Sequence, residues 1–123
     1  MRLSRAMLFV KDLPRMTAFY RDRLGLQAIE ETRLDDWVEF DAGGARFALH
    51  SIPAHLAAGI EISSPPIARE KNPVKLIFEV DDVEWERERL RGLGVPMIQR
   101  PWGASDGVDP EGNIFQISQS PSA

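Results

Sequence analysis

The sequence predicts an α+β domain in which one βαβββ module occurs twice. Each half of the chain begins with a strand pattern followed by a helix pattern, and three short motifs recur at nearly constant spacing. The offset between the copies drifts by only one residue per motif, which is typical of a duplicated module. The matching segments are residues 10–13 and 80–83 at an offset of 70, 24–26 and 93–95 at 69, and 41–49 and 109–117 at 68.

The first module reads as a strand, a helix and three further strands. Residues 4–10 alternate as a strand with both faces at least partly buried. Asp12 is placed to cap a helix over 13–24, Pro14 falls in its first turn, and Gly25 ends it. Strand-like segments follow at 27–33, 37–41 and 46–52.

The second module repeats this order. Residues 74–80 read as a strand and Asp82 is placed to cap a helix that runs from Val83 to about Leu93. Residues 103–107 lack the Lys-Ser/Thr of a phosphate-binding loop and read as a connection before the last hairpin. The predicted organisation is one domain, 1–123, with a module at 1–52, a linker at 53–73 that serves either as a plain connection or as a lid, and a module at 74–120.

Composition narrows the functional classes. The absence of cysteine excludes disulfides and thiolate chemistry, and two histidines leave little for a histidine-rich metal centre. A formal net charge of −4 with no basic run disfavours nucleic acid, and no apolar stretch approaches the ~20 residues needed to cross a membrane. We therefore expect a cytoplasmic protein whose partner is a small molecule.

Two sequence motifs identify a family resemblance. Residues 10–26 contain Val-x-Asp-Leu-Pro and Phe-Tyr-Arg-Asp-x-Leu-Gly-Leu, and 109–113 form an Asp-Pro-Glu-Gly-Asn turn. Together with the duplicated module, these motifs resemble the vicinal-oxygen-chelate superfamily of glyoxalase I, extradiol dioxygenases, fosfomycin-modifying enzymes and bleomycin-resistance proteins. The resemblance implies curved mixed sheets around a concave pocket, often completed by a homodimer, and we expect a homodimer here.

The resemblance also implies four metal-ligand positions, on the first and last strands of each module. These positions are occupied by Arg5, Ala48, Lys75 and Gln116, of which only Gln116 offers a suitable donor atom. Two cations would repel a divalent metal, so we expect no metal cofactor. A displaced metal site is the alternative, formed by Gln116 with His50, Glu39 and Glu79.

Strand alternation predicts which side chains line the pocket. We expect Arg5 and Lys75 to be paired with Glu39, with Glu79 or with a bound anion, because buried charges require partners. Phe9, Trp37 or Trp102 would supply a stacking wall for a planar ligand. The predicted pocket residues are Arg5, Met7, Phe9, Trp37, Glu39, His50, Lys75, Glu79, Trp102 and Gln116.

The predicted function is metal-independent binding of a small organic molecule, aromatic or anionic, in the manner of bleomycin-resistance proteins. The first alternative is a lyase, isomerase or dioxygenase that uses the displaced metal site. The second is a structural or regulatory dimer without ligand, in which internal salt bridges fill an unused cavity. No nucleophile with an adjacent base is discernible, so no catalytic residue is nominated.

Overall fold

The computed structural model describes residues 1–119 and divides the chain into two compact units. The first unit is Met1–Glu61, and the second begins at Ile62. Each unit contains one four-stranded mixed sheet with short helices, so the predicted α+β class is confirmed. The predicted end of the second module, residue 120, lies outside the described residues.

Unit 1 has the strand order β1-β4-β3-β2, with β1 parallel to β4 and the other neighbours antiparallel. Its elements are β1 Arg5–Val10, α1 Leu13–Ala18, a π-helical turn Phe19–Arg23, β2 Gln27–Ala28, a 3-10 turn Glu30–Thr32, β3 Trp37–Asp41, β4 Arg46–Ser51 and α2 Ala54–Ala57.

The helical region of unit 1 begins as predicted but changes form midway. The Asp12 carboxylate accepts a hydrogen bond from the Arg15 N–H at 3.1 Å, which caps α1. The predicted single helix is wrong beyond Ala18, because the Leu24 N–H donates to the carbonyl of Phe19, five residues back. This wider turn packs Phe19 and Tyr20 into the core, where both are buried.

The predicted strand 27–33 is also mostly wrong, since only Gln27–Ala28 pairs with β3. The chain then turns in 3-10 form, and the Thr32 hydroxyl lies 3.3 Å from both the Ile29 carbonyl oxygen and a Glu39 carboxylate oxygen. Local hydrogen bonding of this kind gives the backbone an alternative to the sheet ladder. The turn therefore supplies a polar partner to Glu39 on the neighbouring strand.

Unit 2 has the equivalent strand order, β5-β8-β7-β6, with β5 parallel to β8. The Asp82 carboxylate caps α3 as predicted, through the Trp85 N–H at 3.0 Å. The first strand begins at Leu76, two residues later than predicted. The elements are β5 Leu76–Val80, α3 Val83–Gly92, β6 Met97–Gln99, β7 Ser105–Val108 and β8 Ile114–Gln119.

The prediction of a simple connection at 103–107 is wrong, because β7 is a fully buried strand. Gly107 is paired with Phe115 across the sheet, and a Cβ atom at Gly107 would come within 2.3 Å of the Phe115 ring. The glycine that suggests a loop in the sequence is thus required by packing.

The unit 1 sheet has a buried core face and an opposite face on which exposure varies from residue to residue. In unit 1 the core contains Tyr20, Phe40 and Phe47, with 4.9 Å between the ring centres of Tyr20 and Phe47. On the opposite face of β1, Met7 is 37% and Phe9 60% exposed, so this face is only partly buried, which agrees with the expectation for this strand. Within residues 1–119, no helix is long and apolar enough to cross a membrane.

Candidate functional site

The face of the unit 1 sheet opposite the core presents side chains at three successive levels of strand register. Cross-strand neighbours at one level project from the same face of the sheet. The first level contains charged residues, the second level contains the small Ala48, and the third level contains aromatic residues. The levels are Arg5, Arg46 and Asp41; then Met7, Ala48 and Glu39; then Phe9, His50 and Trp37.

Glu39 is the centre of the charged part of this face. Its side chain is only 3% exposed, and its two carboxylate oxygens lie 2.8 Å from Arg5 Nε and 2.9 Å from Arg46 Nη1. The predicted pair of Arg5 with Glu39 is confirmed. Arg46 was missed, although strand alternation places it on the same face as Ala48. This first cluster, Arg5, Glu39 and Arg46, contains two cations and one carboxylate.

The third level forms an aromatic row across three strands. The His50 ring centre lies 5.5 Å from that of Phe9 and 5.8 Å from that of Trp37. His50 Nε2 is also 3.3 Å from a carboxylate oxygen of Asp36. The structure thus brings three predicted site residues together, and Asp36 contacts the middle ring.

Unit 2 contains a second cluster, Lys75, Arg100 and Asp106. Asp106 is completely buried; both of its carboxylate oxygens lie 3.1 Å from Lys75 Nζ, and one accepts from Arg100 Nε at 2.8 Å. Lys75 Nζ is also 3.5 Å from the Gln116 side-chain oxygen. The expected protein partner of Lys75, either Glu39 or Glu79, is wrong, because the observed partner is Asp106 and Glu79 is exposed.

The two clusters occupy equivalent places in their sheets. Glu39 is paired in register with Ala48, and Asp106 is paired with Gln116. Ala48 and Gln116 are themselves equivalent in the sequence repeat, at an offset of 68. Both units therefore bury an acidic side chain at one position of the third strand and surround it with two cations.

A shallow depression of about 250 Å³ adjoins the second cluster. The Arg100 guanidinium carbon lies 5.6 Å from the centre of the Trp102 ring, and Trp102 is 71% exposed. Hydrogen bonds to Asp106 and Glu70 raise the pKa of Arg100 above its usual value, so the group stays charged. The depression is lined by Arg69, Glu70, Asn72, Val74, Lys75, Arg100, Trp102, Asp106 and Ile114.

A larger depression of about 750 Å³ lies beside α1 in unit 1, and none of the ten predicted pocket residues lines it. Its lining includes Thr17, whose buried hydroxyl has no hydrogen-bond partner within residues 1–119. Lys11, Asp12, Arg33 and Asp35 add charges of both signs. This mixture indicates a polar surface without a preferred ligand charge.

The side chains at the four implied metal positions do not fit a metal. Arg5 and Lys75 are cations that are held by Glu39 and Asp106, and Ala48 has no donor atom. The displaced alternative loses Glu39, because two arginines bind that carboxylate. Among residues 1–119, no group of three or more histidine or acidic side chains is arranged to hold a metal ion.

Comparison with known proteins places these features in a family. Residues 2–117 match the model of the Glyoxalase/Bleomycin resistance protein/Dioxygenase superfamily. A protein of unknown function from Agrobacterium tumefaciens is 29% identical, with 98% of this chain and 95% of that chain covered and a TM-score of 0.70. A glyoxalase/bleomycin resistance protein/dioxygenase family enzyme from Burkholderia phytofirmans is 26% identical, with 94% and 96% covered and a TM-score of 0.71.

A more distant relative shares the fold. A fosfomycin resistance protein from Mesorhizobium loti is 21% identical, with 98% of this chain and 92% of that chain covered and a TM-score of 0.65. Among curated proteins, no match to the sequence was found. The family resemblance noted in the sequence is confirmed: the chain belongs to the glyoxalase/bleomycin resistance protein/dioxygenase superfamily.

Proposed function

We propose that this protein binds a small organic anion with a planar apolar part, and that it does so without a metal ion. One observation carries the proposal: at two of the four positions where the family resemblance implies metal ligands, the cations Arg5 and Lys75 are paired with the buried carboxylates of Glu39 and Asp106. Cationic side chains repel metal ions, whereas they attract anionic ligands. The cationic side chains at these positions therefore favour an anionic ligand over a metal ion.

The first cluster presents two cations that are nearly half exposed. Arg5 and Arg46 both bind Glu39, and Asp41, which is paired in register with Arg46, balances the second positive charge. Their outward donors are accessible to a ligand, while Glu39 holds their inner donors in place. An arginine that is positioned in this way binds carboxylates or phosphates with little loss of side-chain entropy.

The aromatic row of Phe9, His50 and Trp37 supports a planar apolar part in the ligand. It lies on the same face as the first cluster, and Phe9 follows Arg5 by four residues on β1. At about 3.3 Å per residue, the aromatic and charged ends of the face are about 13 Å apart. A ligand would span both ends if its anionic group and its aromatic part lay about 13 Å apart.

The family relationship supports the small-molecule class of the ligand. The family description includes bleomycin resistance proteins, and one structural relative is a fosfomycin resistance protein. Both names refer to small organic molecules. The resistance-like activity itself is part of the proposal, because identity to that structural relative is only 21%.

A thermal-shift screen tests the proposal. Planar carboxylates and their neutral amides are added to protein that has been treated with a chelator, and to protein supplied with nickel, zinc, manganese or iron. A ligand that binds only the folded state raises the melting temperature, and we expect this for the acids, not the amides, with or without metal. Stoichiometric metal after purification without chelator, or binding that requires metal, would overturn the proposal.

A homodimer is the proposed assembly. Short sheets with unpaired edges are usually paired or covered in native proteins, and a second copy can provide the cover. Light scattering at micromolar concentration should give twice the chain mass. A mass near 13.8 kDa would refute the dimer while leaving ligand binding unaffected.

A further inference from the structure

We propose that the depression in unit 2 binds a single-ring aromatic carboxylate, and that Glu70 occupies the carboxylate position as an internal competitor that the ligand displaces. This inference rests on the proposed function, which it extends by naming a ligand class and a competing group. The juxtaposition that carries it is Glu70, Arg100 and the exposed Trp102 around one small depression.

Arg100 is bound by two carboxylates of different character. Its Nε donates to the completely buried Asp106 at 2.8 Å, and its Nη2 lies 3.1 Å from each carboxylate oxygen of Glu70. Asp106 has no exposure to solvent, whereas the Glu70 side chain is 56% exposed. The inner pair is therefore a fixed part of the fold, and the outer pair is open to exchange with solvent anions.

The outer pair is also weakly formed. A single nitrogen of Arg100 serves both oxygens of Glu70, so the two groups do not form the fork-to-fork arrangement in which arginine binds carboxylates most strongly. Exposed ion pairs contribute little free energy and are screened by salt. A carboxylate that gains additional contacts can therefore replace Glu70.

Glu70 is held near Arg100 by its neighbour. The Arg69 N–H donates to the Gly112 carbonyl at 2.9 Å, and Arg69 Nε donates to the Glu111 carbonyl at 3.0 Å. These bonds attach the segment to the turn before β8, so Glu70 remains at a high local concentration beside Arg100. It acts as a tethered carboxylate at a site that accepts carboxylates.

The charges of the depression favour an incoming anion. Arg69, Lys75 and Arg100 contribute three positive charges, and Glu70 and Asp106 contribute two negative charges. When Glu70 leaves Arg100, its negative charge moves from the guanidinium into solvent, and the ligand carboxylate takes its place. The charge next to Arg100 is the same before and after the ligand replaces Glu70. Whether Glu70 or the ligand binds Arg100 therefore depends on the additional contacts that the ligand makes.

Those added contacts define the ligand class. Trp102 lies beside Arg100 and is 71% exposed, which provides an indole surface on which a ring can stack. A volume of about 250 Å³ is below the range of roughly 300–1,000 Å³ that drug-sized ligands occupy. One aromatic ring with one carboxylate fits this space, whereas a large ligand does not.

Benzoate is the probe, and its neutral amide, benzamide, is the control ligand. Dissociation constants are measured by NMR titration that follows the indole N–H signal of Trp102, in the wild type and in Glu70→Gln. Removing the competing charge should tighten benzoate binding by about two- to fivefold at low salt, the size expected for loss of an exposed ion pair. Benzamide should bind weakly to both proteins.

The matched control is Glu84→Gln, an exposed glutamate on α3 that does not line the depression. We expect no change in benzoate affinity for this variant. Arg100→Lys keeps the charge but removes the planar guanidinium, and it should weaken benzoate binding in the Glu70→Gln background as well. Both variants retain a polar or charged side chain, so a folded sample is expected, and the dispersion of the NMR spectrum verifies it.

The outcomes separate this inference from the proposed function. If Glu70→Gln leaves benzoate affinity unchanged or weakens it, the competitor assignment is wrong. If benzoate and larger planar acids shift only the signals of Phe9, His50 and Trp37, the inference fails while the proposed function stands. If no planar acid shifts signals in either unit, both fail.

Discussion

Both units contain a cluster of one buried acid and two cations, but the sheets around the two clusters carry different side chains. In both, a buried acid on the third strand is held by two cations, namely Glu39 in unit 1 and Asp106 in unit 2. The level that is aromatic in unit 1, at Phe9 and His50, corresponds by register and repeat to Glu79 and Ser118 in unit 2. Unit 1 therefore offers an aromatic row on its sheet, and unit 2 offers a small charged depression beside the exposed Trp102.

The core faces differ at one equivalent pair. In unit 1, Phe40 is paired with Phe47, and their rings lie 6.0 Å apart. In unit 2, Gly107 takes the place of Phe40, and the ring of Phe115 fills the space above it. The charged cluster therefore keeps its position in the sheet register, although the side chains that pack on the core face differ between the two units.

Removal of the buried acids should produce the largest effect. Asp106→Asn leaves Lys75 and Arg100 facing each other, and we expect a loss of about 3–5 kcal/mol in the free energy of unfolding. Glu39→Gln should cost less, because Arg5 and Arg46 are more exposed than Arg100 and are better solvated. Urea denaturation measures both.

Asp36→Asn is the control for these variants, since Asp36 is an exposed carboxylate that lies 3.3 Å from His50 Nε2. Its effect should be small. Equal stability losses for Asp106→Asn and Asp36→Asn would show that burial of the acid does not matter to the second cluster.

The packing difference leads to the next prediction. Gly107→Ala places a methyl group within 2.3 Å of the Phe115 ring, and overpacking of this kind costs about 1–3 kcal/mol. Gly92→Ala, in α3 with no heavy atom within 4 Å of the added methyl, should be neutral or stabilising. Thermal denaturation of the pair gives the comparison. A stable Gly107→Ala protein would mean that Phe115 can move aside.

The redundancy of cations in the first cluster can be tested with a double-mutant cycle. Arg5→Ala leaves Glu39 paired with Arg46, and Arg46→Ala leaves it paired with Arg5, so each should cost about 1 kcal/mol or less. The double variant leaves a buried carboxylate with neither arginine. Its loss of stability should exceed the sum of the single losses, by an interaction energy of about 0.5–3 kcal/mol. Simple additivity would show that the two arginines act independently.

The smallest effect is expected at an exposed pair that serves as a reference for the buried ones. A hydrogen bond from Arg21 lowers the pKa of Asp22 below its usual 3.8. The pair therefore contributes stability above that pH and loses it as the pH falls through the lowered pKa. Because both groups are solvated, Asp22→Asn should leave stability at neutral pH nearly unchanged. A clear loss at pH 7 in urea denaturation would contradict this.

Local sequence signals determined much of the fold of this protein. The repeat spacing revealed two equivalent modules, and the capping aspartates Asp12 and Asp82 marked the start of both main helices. Strand alternation placed Arg5 and Glu39 on one face, where they form an ion pair. These features depend on residues that are close in sequence or on a regular period, and the sequence displays both directly.

Only the tertiary structure decided the partners of the second cluster. Asp106 lies next to a glycine in a segment that resembles a loop, and its place in a buried strand follows from the ring of Phe115 on the neighbouring strand. Glu70 and Arg100 are 30 residues apart and meet through the anchoring of Arg69. Such pairs depend on strand register and on side-chain packing across the sheet, which no local pattern in the sequence contains.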